Sequence, residues 1–61
     1  MNKGWIWISN GRFTVRFEIE KGKVAQAPNL FKRFKGRTWK EVVRFMDHFY
    51  KNVNIEFFEE D

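Results

Sequence analysis

The sequence predicts an α+β domain: a three-stranded antiparallel meander packed on one amphipathic helix, with a short helical turn before that helix and a fourth strand at the C-terminus. Three observations carry the prediction. Residues 12–20 read Arg-Phe-Thr-Val-Arg-Phe-Glu-Ile-Glu, a strict alternation of polar and apolar side chains with the period of a half-buried strand. A shorter alternating run, Trp5 to Ser9, precedes it across Asn10-Gly11, the dipeptide that best supplies the positive φ values of a type I′ hairpin turn. Residues 39–51 repeat apolar side chains at helical rather than strand spacing.

Element by element, the first hairpin comes first. A two-residue turn at Asn10-Gly11 pairs Ser9 with Arg12, Ile8 with Phe13, Ile6 with Val15 and Trp5 with Arg16. Alternation then places Ile6, Ile8, Phe13, Val15, Phe17 and Ile19 on one face, a core face. Trp5, Trp7, Arg12, Thr14, Arg16 and Glu18 fall on the other. Lys21-Gly22 makes a second tight turn, either of two residues, with Glu20 opposite Lys23, or of three with Gly22 left-handed. Residues 24–27 form a short third strand that Pro28 ends. Residues 28–35 form a helical or 3₁₀ turn whose Leu30, Phe31 and Phe34 share about 100° of arc, and Gly36 caps it.

Thr38 and Glu41 have the spacing of a capping box, which starts the main helix. On its wheel Trp39, Val42, Val43, Phe45, Met46, Phe49 and Tyr50 fill one arc. Lys40, Glu41, Arg44, Asp47, His48 and Lys51 fill the other. The helix therefore lies on the sheet by its apolar arc. Asn52 is a left-handed stop, and residues 53–58 (Val-Asn-Ile-Glu-Phe-Phe) read as a strand with Val53, Ile55 and Phe57 inward. That strand joins the sheet edge, pairs with a partner or hangs free; residues 59–61 form a frayed acidic tail. The 61 residues make one domain.

Composition narrows the chemistry. There is no cysteine, so no disulfide and no thiolate metal site, and eight Phe, three Trp and one Tyr must supply the core area. No apolar run approaches a membrane span, and no signal-peptide pattern opens the chain. The expectation is a soluble cytoplasmic protein without a membrane partner. All twelve Lys and Arg lie in residues 1–51, against Glu18, Glu20, Glu41 and Asp47, whereas residues 52–61 hold only acids. A basic body with an acidic tail suits a polyanionic partner.

Over residues 17–53 the pattern resembles a group of short phage and prophage proteins. The residues that carry the likeness are Glu20-Lys21-Gly22-Lys23-Val24, Ala27-Pro28, the basic amphipathic turn from Leu30 to Phe34, Gly36-Arg37, and the capped helix from Thr38. The Trp5/Trp7 strand is not part of that pattern. The resemblance implies a viral or mobile-element origin, and hence a host-cell cytoplasm, more than a chemistry. In architecture alone, a three-stranded sheet backed by a helix, with Arg and Trp on the open face, looks like the DNA-reading domains of one plant transcription-factor family and the arm-binding domains of some integrases.

Catalysis and cofactor binding find no support in the sequence. His48 is the sole histidine, on the polar arc of the helix, and no nucleophile, base and orienting group converge on it. The scattered carboxylates lack metal-ligand spacing, and the four glycines are dispersed as turn residues rather than gathered in a phosphate loop. Two binding surfaces remain. One is the open sheet face, where Trp5 and Trp7 offer stacking platforms and Arg12 and Arg16 reach phosphates. That reading requires the indoles to stay clear of the last strand, the 28–35 turn and a second subunit. The other surface is the cluster Lys32, Arg33, Lys35, Arg37, Lys40 and Arg44 around the helix start.

The expectation is a non-enzymatic binding protein that captures DNA or RNA. The rival is an inhibitor that presents the same basic-aromatic surface to an acidic host or defence protein, such as an anti-CRISPR or a polymerase inhibitor. The third reading is a structural homodimer that pairs Trp faces or edge strands.

Overall fold

The computed structural model describes residues 1–60. Its elements are β1 (Lys3–Ser9), β2 (Thr14–Glu20), β3 (Lys23–Gln26), a 3₁₀ segment (Asn29–Phe34), α1 (Trp39–Phe49) and β4 (Asn54–Glu59). The sheet is open, four-stranded and antiparallel, in the order β3-β2-β1-β4. It is therefore not a simple meander. The chain leaves β3 at one edge, crosses the sheet through the 3₁₀ segment and α1, and returns at the far edge beside β1. Of the fates open to the last strand, it joins the sheet, with Trp5 opposite Phe58, Ile6 opposite Phe57 and Ile8 opposite Ile55. It runs through Glu59, and the Glu60 N–H bonds the Lys3 carbonyl at 2.9 Å, so the tail is tied down to that point. The expected fraying at Asp61 lies outside the described residues.

The first hairpin corrects the sequence reading. Ser9 pairs with Thr14, not Arg12, and Ile8 with Val15, not Phe13. Four residues, 10–13, close the loop. Neither Asn10 nor Gly11 adopts a positive φ. Instead the Asn10 side-chain oxygen accepts the Arg12 and Phe13 N–H groups at 2.8 and 3.1 Å, and the Asn10 N–H bonds the Phe13 carbonyl at 3.0 Å. Asparagine thus closes the loop through its side chain and its own N–H rather than through a left-handed backbone. The longer loop frees Phe13 from the ladder. Its ring reaches Tyr50 (5.1 Å between centroids) and Phe31 (5.8 Å) and covers one end of the core. Because the register moves by two residues, every remaining strand side chain keeps its predicted face.

The paired positive φ values occur in the second hairpin, at Lys21 (54°) and Gly22 (77°), with Glu20 opposite Lys23 as the two-residue turn requires. β3 is not a bare edge. The Val24 N–H bonds the Arg37 carbonyl and the Gly36 N–H bonds the Val24 carbonyl, both at 2.8 Å, while Thr38 bridges Lys23. Gly36 makes this close return at φ 88°. Thr38 occupies the N-cap position of α1, but its side chain makes no cap bond, and Glu41 turns to Arg37 at 3.8 Å. The capping box is not formed. The helix ends at Phe49, two residues before the predicted Lys51, and Asn52 turns the chain at φ 57°.

The core lies between the sheet and the helical layer. Ile6, Ile8, Phe17, Ile19 and Val24 supply the sheet side, and Phe31, Phe34, Val42 and Met46 the other, all buried. Each such side chain contributes about 1.5–3 kcal/mol of transfer free energy. Three predicted inward residues do not follow: Leu30 is 74% exposed, Phe49 65% and Phe57 50%. Leu30 sits on the outer side of a 3₁₀ turn, whose three-residue period brings Phe31 and Phe34 inward together and leaves Leu30 out. Phe49 overhangs the helix end. Phe57 lies on the core side of β4, but no strand flanks it.

β4 reaches β1 through Gly4. A Cβ built there lies 2.1 Å from the Phe58 carbonyl oxygen, and Gly4 has φ 150°. Gly4→Ala is expected to cost more than ~2 kcal/mol in urea unfolding and to release β4 first; a change within ~0.5 kcal/mol would contradict this contact. Thr38→Ala is expected to fall within ~0.5 kcal/mol of wild type, against the ~1 kcal/mol typical of a bonded cap.

Candidate functional site

The predicted site residues divide between opposite sides of the molecule. Trp5, Trp7 and Arg16 lie on the open sheet face. Trp5 is flanked on both sides: Phe58 stacks on it from β4 at 5.2 Å and 12°, and the Arg16 guanidinium carbon lies 4.5 Å from its ring centroid. Arg16 also pairs with Glu18 at 2.7 Å. The resulting strip, Phe58–Trp5–Arg16–Glu18, is largely satisfied within the chain. Trp7 stays 40% exposed, opposite Glu56 on one neighbour and Arg16 on the other. Strand alternation brings Glu18, Glu20, Glu56 and Glu60 to this face together with Lys3, Arg16 and Lys23. The face is aromatic at its centre but not basic.

The bases gather on the helical layer. Lys32, Arg33, Lys35, Arg37, Lys40 and Arg44 are all exposed, and among the described residues only Arg37 is in an ion pair. Arg33 lies over the Phe34 and Phe45 rings, at 5.2 and 4.8 Å. These contacts seat the guanidinium against an aromatic surface. Lys40 sits 5.9 Å from the Trp39 ring, on the flank of α1 that faces β4.

Three shallow depressions run together along this layer. The first is lined by Arg33, Phe34, Arg37, Glu41 and Phe45. The next shares Phe34, Glu41 and Phe45 with it and adds Arg44, His48 and Phe49. Phe49 also lines a third, with Arg12, Tyr50 and Lys51. The trough follows α1 from start to end, a path of ~16 Å at 1.5 Å per residue. Arg33, Arg37, Arg44, Lys51 and Arg12 border it, with Glu41 as the one carboxylate. Its floor is Phe34, Phe45 and Phe49; the Phe45 and Phe49 rings are 4.5 Å apart and His48 lies against Phe49 at 4.9 Å. Arg12, predicted on the sheet face, reaches this trough because the longer first loop carries it past the ladder to the helix end. Lys32 and Lys35 stand outside its lining.

Sequence reasoning missed Phe45, Phe49 and Lys51 as site residues. The apolar arc of α1 marked both phenylalanines as core, and only the end of the sheet beneath them decides that Phe49 overhangs. It also missed Phe58. A visible signal existed there: two adjacent phenylalanines in a strand cannot share a face, so one of them had to meet Trp5 or Trp7. Among the described residues no three His, Asp or Glu side chains converge as metal ligands, and no helix is long and apolar enough to cross a membrane.

No protein-family model matches the chain, and neither a curated protein nor a solved structure is detectably similar to it.

Phe58→Ala is expected to uncover Trp5. Tryptophan emission should shift to the red and stability should fall by ~1–2 kcal/mol; an unchanged spectrum would show that the stack does not persist in solution.

Proposed function

We propose that the protein binds nucleic acid along the α1 trough, as a small phage-type binding protein without catalytic chemistry. The observation that supports this reading most is the continuity of the trough: five cations border one apolar floor interrupted by a single carboxylate. Arg33, Arg37, Arg44, Lys51 and Arg12 contact successive phosphates, and Phe49, 65% exposed, takes a base against its ring. Lys32, Lys35 and Lys40 add to the long-range field that steers a polyanion to this layer. The account moves the stacking role from Trp5 and Trp7 to Phe49, since Trp5 is already stacked and its face carries four carboxylates. A basic groove with an aromatic floor suits an unpaired strand, whose bases can stack on it.

A second reading rests on the opposite face. Trp7 and Phe58 are 40% and 39% exposed and are rimmed by acids, a composition that fits a protein partner, such as a host or defence enzyme that the chain would inhibit. Under this reading a partner retained after nuclease treatment is lost in Trp7→Asp.

The test is fluorescence anisotropy with labelled single-stranded and duplex oligonucleotides across a salt series. Binding to single strands is expected to weaken with salt, and Arg33→Gln and Arg44→Gln should each reduce the logarithmic salt slope by ~0.7. Phe49→Ala should weaken binding by ~1–3 kcal/mol with the salt slope unchanged. Trp7→Ala should bind as wild type does. Absence of binding at low salt, or a loss confined to Trp7→Ala, would overturn the proposal.

A further inference from the structure

The two sheet edges are treated differently. At β3 the segment from Gly36 to Trp39 returns to satisfy the outer backbone groups. At β4 nothing does. The Glu60-to-Lys3 bond sets the hydrogen-bonding parity of β4 on β1, so Phe58, Glu56 and Asn54 bond Trp5, Trp7 and Ser9. The N–H and C=O groups of Ile55, Phe57 and Glu59 consequently point away from the sheet. No proline, lysine or bulge interrupts Asn54–Glu59, and its charged side chains are the carboxylates Glu56 and Glu59. It is also apolar on both sides, with Phe57 half exposed toward the helix and Phe58 39% exposed on the open face.

We infer that this edge pairs with the same edge of a second copy, antiparallel about a two-fold axis through Phe57. The charge pattern selects both occupant and register. Outward-facing residues must pair with outward-facing residues. With Phe57 opposite Phe57 of the second copy, Ile55 meets Glu59, Glu56 meets Phe58 and Asn54 meets Glu60, so no carboxylate faces another. One step in either direction sets Glu56 against Glu56, or Glu56 against Glu60, like charges directly opposed. A longer slip that avoids such contacts pairs only Asn54 to Glu56 within the strands.

The chosen register also matches charges across the interface. Ile55 lines a groove with Trp39, Lys40, Val43, Arg44 and Asp47. Glu59 of the second copy, opposite Ile55 and on the same side of the sheet, comes to the mouth of that groove beside Lys40 and Arg44. Phe57 packs edge-on against Trp39 at 5.8 Å, and its exposed half is covered by its two-fold mate. Since the β3 edge is closed, pairing at β4 exhausts the free edges, and assembly stops at two chains. Both helices then lie on one side of a continuous sheet.

Sedimentation equilibrium without nucleic acid tests this from about 1 μM to about 1 mM. The mass is expected to rise from one chain to two and stop there. Phe57→Lys should stay folded by circular dichroism and remain a single chain throughout. Glu59→Lys should weaken pairing by ~10-fold or more, and Glu59→Lys with Lys40→Glu should restore it. A single chain at every concentration, growth beyond two chains, or a double variant no tighter than Glu59→Lys would overturn the inference. Oligonucleotide anisotropy of Phe57→Lys separates the two proposals, because the trough lies within one chain.

Discussion

The structure depends on β1 being hydrogen-bonded on both sides. Its core-facing Ile6 and Ile8 are fully buried, and its other face carries both hairpin tryptophans. It can hold β2 and β4 at once only because Gly4 offers no side chain where β4 crosses. With β4 in place the chain must cross the sheet to reach it, and the crossing segment becomes the helical layer. The same pairing sets Phe58 against Trp5, ties Glu60 to Lys3, and turns the backbone of Ile55, Phe57 and Glu59 outward. In a 61-residue chain without cysteine, a size at which small domains have on the order of 3–9 kcal/mol of stability, this arrangement has little redundancy.

The proposed function follows from how the sheet partitions charge. The side chains of β1, β2 and β4 that face away from α1 pair acids with bases and stack the aromatic rings, so that face is mostly occupied by its own contacts. The helical layer has the opposite character. Its bases outnumber its acids, and the aromatic residues at its rim are there because the core is too small to enclose them. A small, aromatic-rich core therefore produces the trough: Phe45 and Phe49 are core residues by pattern that the sheet does not extend far enough to cover. Arg33, laid on the Phe34 and Phe45 rings, converts the uncovered apolar surface into a cationic one.

Much of the architecture was legible because it rests on period. Alternation in residues 14–20 assigned the sheet faces correctly even though the first turn was read with the wrong length, since a two-residue slip restores the side chains that stay in the ladder to their faces. The wheel of α1 placed Val42 and Met46 correctly for the same reason. What was not legible depended on competition between local and distant partners. Asn10-Gly11 has the composition of a type I′ turn, but the side chain of Asn10 and the attraction of Phe13 for Tyr50 and Phe31 favour a longer loop. Thr38 and Glu41 have capping-box spacing, but Glu41 is engaged by Arg37. The site was divided wrongly at one residue in particular: Arg12 alternates with the open-face side chains in sequence, yet it leaves the ladder and joins the helix end. Phe49 escaped because exposure at a helix terminus depends on how far the opposing sheet extends, which no local pattern records.

The central claim is that the polyanion-binding surface lies on the helical layer and not on the tryptophan face. Heteronuclear NMR of the labelled protein during titration with a short single-stranded oligonucleotide addresses it directly. The account predicts that the backbone amides of Arg33, Arg37, Arg44, Phe49, Lys51 and Arg12 shift together with one affinity, while the indole N–H signals of Trp5 and Trp7 stay in place. Shifts of those two indoles with a quiet helical layer would contradict it.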